Sequence, residues 1–517
     1  MDLAIKIVLL AVFFGVMTGI GLYCRRHATD VSGFVLGGRS VGPWLTAFAY
    51  GTSYFSAVVF VGYAGQFGWK YGVAATWAGL GNAFLGSLLA WAVLGRRTRV
   101  MTQHLDSATM PEFFGKRFDS RALKLCASVI IFIFLIPYTA SLYNGLSRLF
   151  GMAFAIDYSV CVVVMAILTG VYVIAGGYMA TAINDFIQGI IMLAGIAAVI
   201  GAVLHTQGGF LAALEKLARV QGDSGVPGVY ASFFGPDPVN LLGVVLLTSL
   251  GTWGLPQMVQ KFYAIKSEAA ISKGTVISTV FALVVAGGCY FLGGFGRLYA
   301  DQIDIQANGY DSIIPAMLSG LPAILIAVVV ILVLSASMST LSSLVLASSS
   351  TLTLDFIKGN IIKDMDEKRQ VRWMRGLVVV FIAISVVLAL IQYKSSVTFI
   401  AQLMGVSWGA LAGAFLAPFL YGLYWKRTTK AACWVSFVFS AVFMLAVISP
   451  LKTALPPLLQ SPINAGAFCM IAGLVIVPAV SLFTRAPGEK RLEEIFSCYE
   501  RRVTVTVKDS IGEQNSH

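Results

Sequence analysis

Unbroken runs of apolar and small residues, such as Leu321 to Leu346 and Leu377 to Ile391, restrict this chain more than any other feature. A hydrocarbon slab about 30 Å thick needs about 20 apolar residues in helical form to cross it. Inside lipid every backbone N–H and C=O must be bonded internally, so runs this long read as helices rather than strands. The alternating segments of about 10 residues that mark a membrane barrel are absent. Charged residues make up 12% of the chain, against about 25% in soluble proteins. The fold class predicted is an all-α polytopic membrane protein.

The hydropathy pattern predicts thirteen spans, near 3–24, 42–69, 71–95, 125–153, 157–176, 178–204, 239–262, 274–296, 321–346, 376–394, 397–424, 431–449 and 461–483. With the N-terminus outside, 28 of the 36 Lys and Arg fall in alternate loops and in the tail after the last span. Lys261, Lys266 and Lys273 are counted there, as are Arg96 to Lys124 and Lys358 to Arg375. Cytoplasmic loops carry such an excess, so the pattern predicts a multi-pass plasma-membrane protein with its C-terminus in the cytoplasm. The net charge of +12 thus serves topology, and no nucleic-acid partner is expected. Seven cysteines without CxxC spacing imply neither a disulfide framework nor a metal site. Only His27, His104, His205 and His517 are present, all near or beyond span ends, which argues against a membrane-embedded enzyme. No loop is long enough for a catalytic or signalling domain, which also disfavours a sensor.

Two spans interrupt their own helical pattern. Ala49-Tyr50-Gly51-Thr52-Ser53-Tyr54-Phe55-Ser56 places glycine and hydroxyls at mid-membrane depth, and Gly251-Thr252-Trp253-Gly254-Leu255-Pro256 does the same. Pro256 lacks an amide proton, and its ring disfavours a regular helix. Unwound backbone at this depth is tolerated where it lines a cavity or is buried in protein. Transporters built from inverted repeats carry such breaks at corresponding positions of two halves. The expected organisation is a first helix and loop (1–41), a five-helix repeat (42–204), an outer loop (205–238), a second five-helix repeat (239–424), two more helices (425–483) and a tail (484–517). A channel would need a continuous polar pore, whereas the sequence shows two local breaks.

Ser339, Ser342 and Ser343 lie at i, i+3 and i+4, so their hydroxyls share one helical face. Hydroxyls and free carbonyls are hard oxygen ligands of the kind alkali cations prefer; serines in membrane helices also bond back to their own carbonyls. Asp185, in Ala182-Ile183-Asn184-Asp185-Phe186-Ile187-Gln188, is an ionisable group inside a span, which reads as functional and calls for a partner. A sodium ion near Ser342 and Ser343 is the partner considered, and a titrating Asp185 leaves proton coupling open.

Five segments in order resemble the sodium/solute symporter family, between about Phe34 and Lys430. They are Phe34-Val35-Leu36-Gly37-Gly38-Arg39-Ser40, Gly176-Gly177-Tyr178-Met179-Ala180 with Asn184-Asp185, Gly254-Leu255-Pro256, Met338-Ser339-Thr340-Leu341-Ser342 and Gly422-Leu423-Tyr424-Trp425-Lys426-Arg427. The resemblance implies a LeuT-like core of two inverted five-helix repeats. It implies a sodium site from the carbonyls of Thr52, Phe55 and Ala336 and the hydroxyls of Ser339 and Thr340. A second sodium site, found in some relatives, matches Asp185, Ser339, Ser342 and Ser343. It implies a substrate region at Tyr54, Ser56, Gln66, Tyr138, Thr252, Trp253, Gln257 and Gln402.

That set is aromatic and polar but uncharged, unlike the denser charged array of sugar-transporting relatives. Tyr54 replaces the acidic residue of proline-transporting relatives, while Tyr54 to Gly62 and Ala182 to Met192 look more like the pantothenate and monocarboxylate branches. Half-helix N-termini can attract a carboxylate without a basic side chain. The function expected is sodium-coupled symport of a small amino acid or carboxylate, such as proline or pantothenate, by alternating access. Sodium is the only metal expected and acts as the coupling ion; no cofactor and no obligate protein partner are expected.

Overall fold

In the computed structural model, the structure describes residues 2–154, 157–221, 225–358, 360–395 and 400–500. The tail positions Arg501, Arg502, Lys508 and His517, and the first residues of the span expected from 397, lie outside the described residues. Among the described residues the secondary structure is helical, with two isolated β-bridges and no strand. Ten helices are long and apolar enough to cross a membrane, or eleven if one bent pair is a single span. The count of thirteen read from hydropathy exceeds this because some neighbouring spans run on as one helix. Val58–His104 has 47 residues and Tyr158–Thr206 has 49, and at 1.5 Å per residue each would be about 70 Å long if straight, more than twice the slab. Each contains a glycine with positive φ, Gly72 (φ 62°) and Gly177 (φ 57°), where the helix can turn back.

We name the principal helices α1 (Asp2–Cys24), α2 (Pro43–Tyr54), α3 (Ala64–Tyr71), α4 (Arg121–Phe154), α5 (Tyr158–Thr206), α6 (Pro238–Gly254), α7 (Pro256–Ala264) and α8 (Glu268–Gly293). They continue with α9 (Ala323–Thr351), α10 (Glu367–Ser395), α11 (Ile400–Tyr424), α12 (Lys430–Ile448) and α13 (Pro462–Phe483). Proline at the first helical position starts α2 and α6 without wasting a hydrogen bond. Asp237 caps α6 through Asn240 N (3.1 Å), and Ser267 caps α8 through Ala270 N (3.2 Å).

Burial separates the core from the lipid-facing shell. The apolar window of α11 is 94% buried and that of α9 72%, whereas α1 reaches 22% and α10 33%. The outer helices turn Val8, Val12, Val379 and Val387 outward, as a helix facing acyl chains should. The central α9 packs against α2, α4 and α5, and α2 also packs against α7 and α8. Both broken spans therefore lie against the buried hydroxyl-rich helix.

Candidate functional site

The two breaks match residue for residue. Gly51-Thr52 and Gly251-Thr252 open the last turn of α2 and of α6, and the first non-helical residues are Phe55 (φ −87°, ψ 117°) and Leu255 (φ −79°, ψ 125°). Each donates its N–H to the glycine four residues back, at 3.4 Å for Phe55 and 3.2 Å for Leu255. After Leu255, Pro256 begins α7 at an angle of 45° to α6. After Phe55 the chain resumes as a π-helical segment, Val58–Tyr63, continued by α3. Extended backbone at each break releases carbonyls from the helical ladder.

The released carbonyls of the first break face α9. Ser339 Oγ donates to Thr52 O (3.1 Å) and Ala336 O (3.0 Å). Thr340 Oγ1 lies 3.0 Å from Thr52 O, 3.3 Å from Phe55 O and 3.1 Å from Ala336 O. Two hydroxyls and three carbonyls thus converge, and all five residues are at most 1% exposed. The structure brings together the whole oxygen set that the family resemblance implied. Hard oxygen donors without a nearby thiolate or imidazole suit an alkali or alkaline-earth ion.

The second candidate set is arranged differently. Ser342 Oγ bonds back to Ser339 O (2.9 Å), as serines in helices commonly do. Ser343 Oγ meets Ser53 Oγ at 2.9 Å and accepts from Lys261 Nζ at 3.1 Å. That ammonium lies 3.8 Å from Asp185 Oδ2. Lys261, read from sequence as a cytoplasmic-loop cation, is instead 2% exposed inside α7. Arg117, read the same way, is also 2% exposed, with Nε donating to Gly422 O (2.9 Å).

Around the breaks, the Tyr138 hydroxyl faces Ser56 and Trp408, and the Tyr138 and Trp408 rings meet edge to face at 5.9 Å. Trp408 also covers the second break: a Cβ on Gly251 would come within 2.3 Å of its ring. The hydroxyl of Tyr54, Oε1 of Gln66 and both amide atoms of Gln257 are buried without a hydrogen-bond partner, an arrangement that usually awaits a ligand or water. Gln402 is half-buried near the start of α11. Thr252 and Trp253 turn the other way. Thr252 Oγ1 bonds Gly86 O and Trp253 Nε1 bonds Leu85 O, at 2.8 and 2.9 Å. Sequence reasoning missed Trp408, Ser53 and Lys261; the proximity of Lys261 to the break at Pro256 was the one available signal.

On the cytoplasmic side, as assigned from sequence, Val41, two residues before α2, is tied to the end of α7 and the segment just after it. Val41 N donates to Ala264 O (3.2 Å) and Lys266 N to Val41 O (2.9 Å). Arg39 adds Ser107 O (2.7 Å) and Tyr263 O (3.3 Å), and Arg99 adds Ile265 O (2.8 Å) and Lys266 O (2.7 Å).

A helical membrane bundle with two matched breaks against a hydroxyl-bearing helix is the architecture of a secondary transporter with a LeuT-like core, and not of an enzyme. The chain belongs to the sodium:solute symporter family, which matches residues 34–438. It is 29% identical over 496 residues to the sodium/proline symporter of Staphylococcus aureus strain JH9, covering 93% of each chain. Its fold is similar to that of a Na+-coupled sialic acid symporter solved in a substrate-bound outward-open state. The TM-score is 0.74 at 15% identity, over 93% of this chain and 98% of that one. A nucleobase-cation-symport-1 family transporter in a closed conformation is similar at a TM-score of 0.50, with 14% identity over 89% of this chain and 97% of that one.

Proposed function

We propose that this chain is a sodium-coupled symporter that brings a small amino acid or carboxylate into the cell by alternating access. The observation that carries the reading is the cage of five oxygens where α9 meets the first break. Sodium bound there would fasten α2 to α9 and set the geometry of Tyr54, Phe55 and Ser56 beside the solute region. Each sodium moved down the membrane potential supplies about 2.3 kcal/mol per 100 mV. The repeat boundaries at 42–204 and 239–424, an outside N-terminus and a plasma-membrane location belong to the same reading.

For the solute, Tyr54, Ser56, Gln66, Tyr138, Gln257 and Gln402 offer aromatic and uncharged polar groups, with Trp408 beside them. Thr252 and Trp253 then act as struts that fix the end of α6. The N-terminal end of α7 opens at the second break, and that positive dipole end favours a carboxylate. Similarity to a sodium/proline symporter supports an amino acid, although Tyr54 stands where an acidic group would answer an imino nitrogen. A monocarboxylate such as pantothenate fits the same groups.

The test is uptake by proteoliposomes under an imposed inward sodium gradient, with labelled proline, other small amino acids, pantothenate and short monocarboxylates. One of these should accumulate only with the gradient. Accumulation driven equally by a proton gradient without sodium would refute sodium coupling, and accumulation of none would refute the solute class.

A further inference from the structure

Lys261 stands where the resemblance would put a second sodium ion. Its ammonium reaches Ser343 Oγ at 3.1 Å and Asp185 Oδ2 at 3.8 Å, above the Tyr178 ring at 5.1 Å from its centroid. Asp185 is fully buried, and neither carboxylate oxygen accepts a hydrogen bond. Lys261 is the one cation within ion-pair distance of it among the described residues. The other two members of the set are engaged elsewhere: Ser342 bonds Ser339 O, and Ser339 faces the first oxygen cage.

We propose that the ε-ammonium of Lys261 is the resident cation of this pocket, a tethered charge in place of a second sodium, so that the carrier binds one sodium per chain. The proposal rests on the reading of the Ser339 and Thr340 cage as a sodium site. An ammonium is a compact positive charge with three donors and no acceptor, so it seeks the same oxygens as a hard cation. One carboxylate balances one cation. A sodium ion added beside Lys261 would bring two like charges together in a site shielded from water, where repulsion is strong. The pair is also mutually required, because removing either partner leaves the other buried and uncompensated.

The position of the tether links it to coupling. Lys261 is on α7, Asp185 on α5 and Ser343 on α9, and Ser343 touches Ser53 of α2 at 2.9 Å. Ser53 adjoins Thr52, whose carbonyl belongs to the sodium cage. The fixed charge thereby joins both broken spans to the scaffold without consuming a second ion in each cycle.

Equilibrium binding of radioactive sodium to the purified full chain, with choline replacing sodium in the controls, reads the count directly. Wild type should hold one sodium, Lys261→Arg one, and Lys261→Ala two, because the carboxylate and Ser343 become free to take an ion. Lys261→Ala combined with Asp185→Asn should return to one. A purely structural ion pair would lower the stability of Lys261→Ala and leave its count at one, which overturns the proposal. Two ions in wild type overturn it as well. No sodium in wild type refutes instead the cage itself, a separate failure. Should Lys261→Ala not fold, Lys261→Gln decides instead: a count of two supports the tether, and a count of one overturns it.

Discussion

Among single residues, Ser339 and Thr340 carry the largest consequence. Their hydroxyls are the only side-chain atoms of the five-oxygen cage, the other three being carbonyls that a substitution leaves in place. Two lost ligands, each contributing about 1–2 kcal/mol, correspond to about a 100-fold loss of sodium affinity. The Ser339→Ala, Thr340→Ala double variant is therefore expected to bind sodium about 100-fold more weakly while reaching the membrane normally. Sodium titration with an immunoblot of the membrane fraction checks both halves. Arg117 has a structural role. Its guanidinium donates to the carbonyls of Gly422 and Trp425 and lies against the rings of Phe118 and Phe496. Burial lowers its pKa to about 10, so it stays charged at neutral pH. Arg117→Ala should lower stability by about 2–4 kcal/mol in thermal or denaturant unfolding. Arg117→Lys should recover part of that, since one ammonium cannot reproduce the planar fork.

Helices act here through where they stop. α2 and α6 each end at an extended residue four positions after a glycine, and only the second of these breaks has a proline to mark it. The turn within α5 depends on Gly177, whose φ of 57° and ψ of −148° suit glycine alone, and whose added Cβ would lie 2.8 Å from Phe34 O. Gly177→Ala is expected to cost about 1–3 kcal/mol and to loosen the contact between α5 and the segment around Phe34. A lowered midpoint in thermal unfolding, with faster proteolysis near residue 34, would be the sign. An unchanged midpoint would mean that α5 bends elsewhere.

The molecule as a whole is a buried core wrapped by lipid-facing helices, and the face assigned from sequence to the cytoplasm is bound by backbone and arginine contacts between the two broken spans. Alternating access requires that closure to open. The Val41–Ile265 bridge, with Arg39 and Arg99 holding the adjacent carbonyls, lies where it must give way. Arg39→Ala combined with Arg99→Ala should shift the population toward the inward-open state. Measured with a cysteine introduced at Ser53, thiol labelling from the inner face should be several-fold faster than in the parent with the same cysteine. Equal labelling rates would show that other contacts hold the inner face shut.

Composition and hydropathy alone determined the helical membrane class, because long unbroken apolar runs without barrel-type alternation satisfy their backbone in lipid as helices. Glycine, proline and hydroxyl spacing was enough to single out both breaks and the shared face of Ser339, Ser342 and Ser343, whereas the oxygen set of Thr52, Phe55, Ala336, Ser339 and Thr340 came from the family resemblance. Those features are local: a helix must end where its backbone is freed, and residues three and four apart share a face. Direction around a helix axis was decided only by packing. Thr252 and Trp253 precede a break in sequence as Tyr54 does, yet they turn to the carbonyls of Gly86 and Leu85. Lys261 and Arg117 read as loop cations that set topology, because a linear pattern records distance from a span end and not burial. Only the tertiary structure placed Lys261 against Asp185 and Ser343, residues 76 and 82 positions away in the chain, since an ion pair between separate helices depends on how those helices are packed.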